Sequence, residues 1–120
     1  MMEGKPCIGF SMGNPVDAYK HMETEPVEEY GDHCNTNWLH TWDDGERLLL
    51  RCKNCGGYIL CQLSEFHGME DDDYYADYFP VSGSAEARKL NEQFDGDAIE
   101  TCFPGRWLIC DPGRTPHWNK

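Results

Sequence analysis

Apolar positions along the chain fall into short continuous runs rather than long stripes. Arg47-Leu48-Leu49-Leu50-Arg51 and Tyr58-Ile59-Leu60-Cys61-Gln62-Leu63 are runs of strand length, the pattern of strands with at least one well-covered face. Just upstream, Trp38-Leu39-His40-Thr41-Trp42 alternates large and smaller side chains of types that favour strands. Asp43-Asp44-Gly45-Glu46 separates it from the next run, with Gly45 free to adopt positive φ, and predicts a turn. These runs predict three antiparallel strands.

Helical spacing occurs twice. Ala87, Leu90 and Phe94 recur at intervals of three and four, predicting a helix over about 85–94. Ser82-Gly83-Ser84 stands at its start and Asp95-Gly96 at its end, with Gly96 suited to a left-handed cap. Asn14-Pro15 has the form of a cap followed by a first helical residue, predicting a short helix that ends before Pro26. Ala98–Cys102 and Arg106–Cys110, joined by Phe103-Pro104-Gly105, predict a closing hairpin. The expected class is α+β: a three-stranded antiparallel sheet, then one helix and a short C-terminal β-hairpin. Residues 1–32 read as an irregular acidic arm with a short helix, and 33–120 as one domain with its core at 33–63.

Composition narrows the partners. With 120 residues, the chain has the length of one domain with a modest core. Its 22 acidic against 10 basic residues give a formal net charge of −12. Such a field repels phosphate backbones, so direct nucleic-acid binding is not expected. Glu23–Asp32 holds five acids and no base and reads as a solvated linker. No stretch approaches the roughly 20 apolar residues of a membrane helix, and the N-terminus lacks the basic-then-apolar pattern of a signal peptide. The expected location is cytoplasmic, where seven cysteines point to thiol and metal chemistry more than to disulfides.

The metal hypothesis rests on Cys52-Lys53-Asn54-Cys55-Gly56-Gly57, set between two strand-like runs. Two thiols on a tight turn, followed by small residues that let backbone amides point at sulfur, form a metal knuckle. A redox CxxC opens a helix after a strand, and Gly56-Gly57 opposes that. Cys34 stands 17 residues before Cys52 (35–51), a spacing that a hairpin would fold back toward the knuckle. The order ligand, hairpin, CxxCG, strand resembles the zinc-ribbon family over residues 33–63. The resemblance implies Zn2+ held by Cys34, Cys52 and Cys55. It departs from the family at Thr36, where a histidine would stand. Structural zinc takes four ligands. By reach along the chain His33 is the first candidate for the fourth, with Cys7, His40, Cys61, Cys102, Cys110 and His117 as alternatives.

A second acidic block interleaves carboxylates with aromatics: Glu70, Asp71, Asp72, Asp73, Tyr74, Tyr75, Asp77 and Tyr78. It lacks the spacing of an EF-hand and reads as a loop whose aromatic anchors in an acidic field suit a basic protein surface. His67 near Glu65, and His40 near Cys34, are not accompanied by a local signature of nucleophilic catalysis. The expected function is that of a small acidic, non-catalytic zinc-binding protein. It would act as an interaction module for, or inhibitor of, a basic and conceivably nucleic-acid-binding partner. The alternative is a zinc-dependent enzyme with an open coordination position at Cys34, Cys52 and Cys55.

Overall fold

A computed structural model describes residues 4–34, 44–67, 72–93, 99, 103–110 and 115–119. A 3-10 helix, Ile8–Ser11, leads into α1, Pro15–His21. The strands are β1 (Thr24–Cys34), β2 (Asp44–Cys52), β3 (Tyr58–His67), β4 (Asp72–Val81), β5 (Leu108–Cys110) and β6 (His117–Trp118), with α2 (Ser84–Gln93) between β4 and β5. The strands form one antiparallel sheet in the order β1-β2-β3-β4-β5-β6.

Six strands replace the expected three-stranded sheet with its trailing helix and separate hairpin. The acidic linker over 23–32 is instead an edge strand. Charged side chains and proline suit that position, since an edge needs no inward N–H from Pro26 and must discourage further pairing. Its ladder with β2 shifts register at Pro26/Glu28 and again at Glu29/Asp32, which breaks the alternation that would have betrayed a strand. The predicted turn at Asp43–Glu46 largely vanishes, because β2 already begins at Asp44. Of the acidic-aromatic block read as a loop, Asp72 to Tyr78 lies in β4, which pairs with β3 from Tyr58↔Val81 to His67↔Asp72. At the C-terminus, β5 pairs with β4 and β6, and of the predicted strand Ala98–Cys102 only Ile99 lies within the described residues. Ile99 is helical, and its carbonyl accepts from Phe103 N at 3.1 Å. The predicted strand Trp38–Trp42 lies outside the described residues.

Both faces of the sheet are covered, which explains the unbroken Leu48-Leu49-Leu50 run. Leu49, Leu60 and Phe79 are successive cross-strand partners and are fully buried with Val81, Ala87 and Ile99, beside the nearly buried Trp107. Phe79, Phe103 and Trp107 meet with ring centroids 5.0 to 6.0 Å apart. On the other face, Leu50, Cys52, Ile59 and Cys61 bury against Cys7, Phe10 and Met22. Each fully buried large side chain contributes about 1.5–3 kcal/mol. The N-terminal residues thus help cover the second face.

One row across the first face is polar. Arg47, Gln62 and Asp77 are partners in adjacent strands and all are buried. Arg47 Nε donates to Gln62 Oε1 at 2.6 Å and its guanidinium reaches the Asn91 carbonyl at 3.3 Å. Trp107 Nε1 donates to Asp77 Oδ1 at 3.3 Å. Hydrogen bonding offsets the burial of Arg47, the Gln62 oxygen and Asp77, while Gln62 Nε2 has no partner among the described residues.

Candidate metal centre

The knuckle forms at the end of β2. Cys52 N donates to the Gly57 carbonyl and Gly56 N to the Cys52 carbonyl, both at 2.8 Å, closing a tight turn on Gly56 at φ +75. That left-handed conformation favours glycine. Gly57 answers a different demand: a Cβ there would stand 2.4 Å from Cys7 Cα. Its hydrogen side chain lets the N-terminal segment lie directly on the knuckle. Cys7 N donates to the Tyr58 carbonyl at 3.1 Å and Tyr58 N to the Lys5 carbonyl at 2.8 Å, forming a parallel bridge at Pro6.

A second segment arrives through α1. Asn14 Oδ1 accepts from Val16 N at 2.9 Å and from Asp17 N at 3.2 Å, so the predicted cap is made, with Pro15 at the first turn. The helix ends on His21. Asn54 Nδ2 donates to the His21 carbonyl at 2.6 Å and Lys53 N to the Glu23 carbonyl at 2.6 Å, tying the helix end to the knuckle.

These two attachments bring Cys7, His21, Cys52 and Cys55 together, with one donor atom from each within 4.8 Å of all the others. The Cys7 and Cys55 sulfurs are 3.6 Å apart. Gly9 N donates to Cys7 Sγ and Gly57 N to Cys55 Sγ, each at 3.4 Å and each from two residues on. Such bonds orient sulfur and temper its charge. His21 Nε2 is buried and has no hydrogen-bond partner among the described residues. A buried imidazole nitrogen left unpaired beside three thiols is costly alone and fits a metal ligand. Cys7 and Cys52 are buried and Cys55 reaches the surface.

The thiols differ in acidity. Burial, reinforced by the neighbouring Cys55 and Cys52 thiols, pushes Cys7 up to about 12. Burial also opposes ionisation of Cys55, but the adjacent His21 ring and the backbone N–H groups of Ile8 and Gly57 outweigh it and bring Cys55 down to about 6. The site therefore holds one thiol ready to ionise and one that a cation would have to deprotonate.

Of the residues singled out from sequence, Cys52 and Cys55 lie in this group. His33 and Cys34 pair with Gly45 and Asp44, whereas the knuckle end of the same ladder pairs Thr24 with Cys52. At about 3.3 Å per residue, roughly 30 Å of strand separates Cys34 from the knuckle. The reason is topological: Cys34 ends a strand that runs away from the knuckle. Cys7 is among the alternatives that the sequence offers, and His21 is not. One sequence signal existed for Cys7, since Cys7-Ile8-Gly9 repeats the thiol-and-glycine spacing of Cys55-Gly56-Gly57. Cys61 is buried on β3 opposite Leu48 and Tyr78, and Cys110 ends β5. His117 lies on β6 with Nδ1 3.3 Å from the Thr115 carbonyl, while His40 and Cys102 lie outside the described residues.

Within the acidic-aromatic block, Asp72–Tyr75 belong to β4, and Glu70 and Asp71 lie outside the described residues. Asp77 is buried against Trp107. Tyr78 packs in the second core beside Tyr19, at 6.4 Å between ring centroids. These last two side chains face inward, because in a strand alternate residues must fill the two covered faces.

Among the described residues, no helix is long and apolar enough to cross a membrane. Comparison with protein-family models, curated proteins and solved structures finds no match to this chain.

Proposed function

We propose that this is a zinc-binding protein in which Cys7, His21, Cys52 and Cys55 hold the ion as a structural staple, leaving an acidic surface to engage a basic protein partner. The observation that carries the proposal is the convergence of three thiols and one imidazole, from segments far apart in sequence, within 4.8 Å. Soft sulfur donors with one nitrogen, four in number, match the preference of zinc. Four protein donors also leave no position for water or substrate, which favours a scaffold over a hydrolytic ion. The chemistry the ion supplies is cohesion: it joins the N-terminal segment and α1 to the β2–β3 turn. The surface part of the proposal draws on the net charge of −12 and on exposed Glu23, Glu25 and Glu29 at the sheet edge.

Metal analysis of the purified protein tests the staple. One zinc per chain is expected, surviving dialysis, with chelation lowering the unfolding temperature. Absence of tightly bound zinc, or zinc whose removal leaves stability unchanged, overturns it. Pull-down at low and raised salt tests the surface. Recovery of basic proteins that release with salt is expected, and salt-indifferent binding to partners without a basic surface overturns that part.

A further inference from the structure

The 13 residues between Cys7 and His21 (8–20) are held from the far end of the chain. The Arg106 guanidinium donates to the Phe10 carbonyl and, at 2.9 Å, to the Met12 carbonyl. It also lies 3.8 Å from the centroid of the Trp118 ring. Trp118 Nε1 in turn donates to the Gly13 carbonyl at 3.0 Å. Trp118 is fixed in β6 by pairing with Leu108. Asn119 locks the same corner, donating N–H to the Trp107 carbonyl at 3.1 Å and accepting from Trp107 N at 2.7 Å.

Building on the zinc reading above, we infer that Arg106 and Trp118 are positioning residues for the metal centre. They form a latch that sets the spacing and orientation of its Cys7 and His21 half. Each end of α1 has its own anchor. The His21 end is tied to the knuckle through Asn54 and Lys53. At the other end, Gly13 precedes the Asn14 cap and is gripped by Trp118. With both ends fixed, the helix axis is set, and with it the direction in which the His21 ring points. With the latch released, α1 pivots about its knuckle end, and a metal must order it on binding. Arginine suits the role because one guanidinium nitrogen, Nη2, donates to both carbonyls while the planar group lies over the indole; a lysine ammonium has donors but no planar face to lay on the ring.

The test titrates zinc against a chromophoric chelator, and records the d–d bands of the cobalt-substituted full chain, for wild type, Arg106→Ala, Arg106→Lys and Trp118→Phe. Arg88→Ala is the control, an exposed arginine on α2 paired with Glu28. Arg106→Ala is expected to weaken zinc binding about tenfold and to shift the cobalt bands as His21 withdraws. Arg106→Lys should fail to restore either property, and decides the matter if the alanine variant does not fold. Trp118→Phe should weaken binding in the same direction, and Arg88→Ala should change neither readout. A loss below threefold, weaker binding with unchanged cobalt bands, or an equal effect from Arg88→Ala overturns the latch while the zinc reading stands. A wild-type chain that binds no zinc removes the zinc reading, and the latch falls with it.

Discussion

Replacing Cys7 by serine, beside the same change at Cys34, tests where the second half of the metal site comes from. Cys7 is almost wholly buried, at 1% exposure, with its sulfur 3.6 Å from that of Cys55. Structural zinc in small domains contributes about 10–16 kcal/mol, so one of four ligands accounts for roughly 3 kcal/mol. At about 1.4 kcal/mol per factor of ten, Cys7→Ser should weaken zinc binding on the order of a hundredfold. Burying a hydroxyl where a thiol stood adds about 1 kcal/mol of instability even without metal. Cys34 ends the far side of the β1–β2 ladder, and Cys34→Ser should leave zinc affinity within twofold of wild type. Competition against a chromophoric chelator reads both constants, and chemical denaturation with and without zinc separates the metal term from packing. Zinc affinity lost at Cys34 and retained at Cys7 would refute the assignment and return the ligand set to the ribbon pattern.

Two further outcomes follow from the knuckle. Gly57→Ala should destabilise the holo protein by about 3 kcal/mol or more, because the new methyl meets Cys7 backbone rather than a yielding side chain; denaturation measures this, and a cost under about 1 kcal/mol would contradict the close approach. In the reduced, metal-free protein, alkylation of Cys55 should rise with a midpoint near pH 6 rather than at the ordinary 9.0. Since folding lowers this value, the thiolate contributes stability that is full above the unfolded thiol's pKa and disappears as pH falls through about 6. Mass-spectrometric labelling over pH 5–10 decides it, and a midpoint above 8 contradicts the described surroundings of the sulfur.

Local chemistry, readable residue by residue, determined the helix over 84–93, the Asn14 cap of α1, the β2 and β3 runs and the Cys52–Cys55 turn. Each depends on neighbours a few positions away: a capping oxygen, a repeat of three and four, a glycine able to take positive φ. Tertiary structure decided the rest. The edge strand β1 is hidden in acidic residues because an edge keeps one side in water and tolerates charge and proline. Strand β4 is also hidden in acidic residues, although it lies between β3 and β5 and Asp77 turns inward, where Trp107 Nε1 donates to it. The site itself divides the same way. Cys52 and Cys55 share a turn and announce themselves, whereas Cys7 and His21 reach it only because Gly57 admits the N-terminal segment and α1 ends against the knuckle. Spacing along a chain reports which ligands share a turn; which distant ligands complete them is set by how the layers pack.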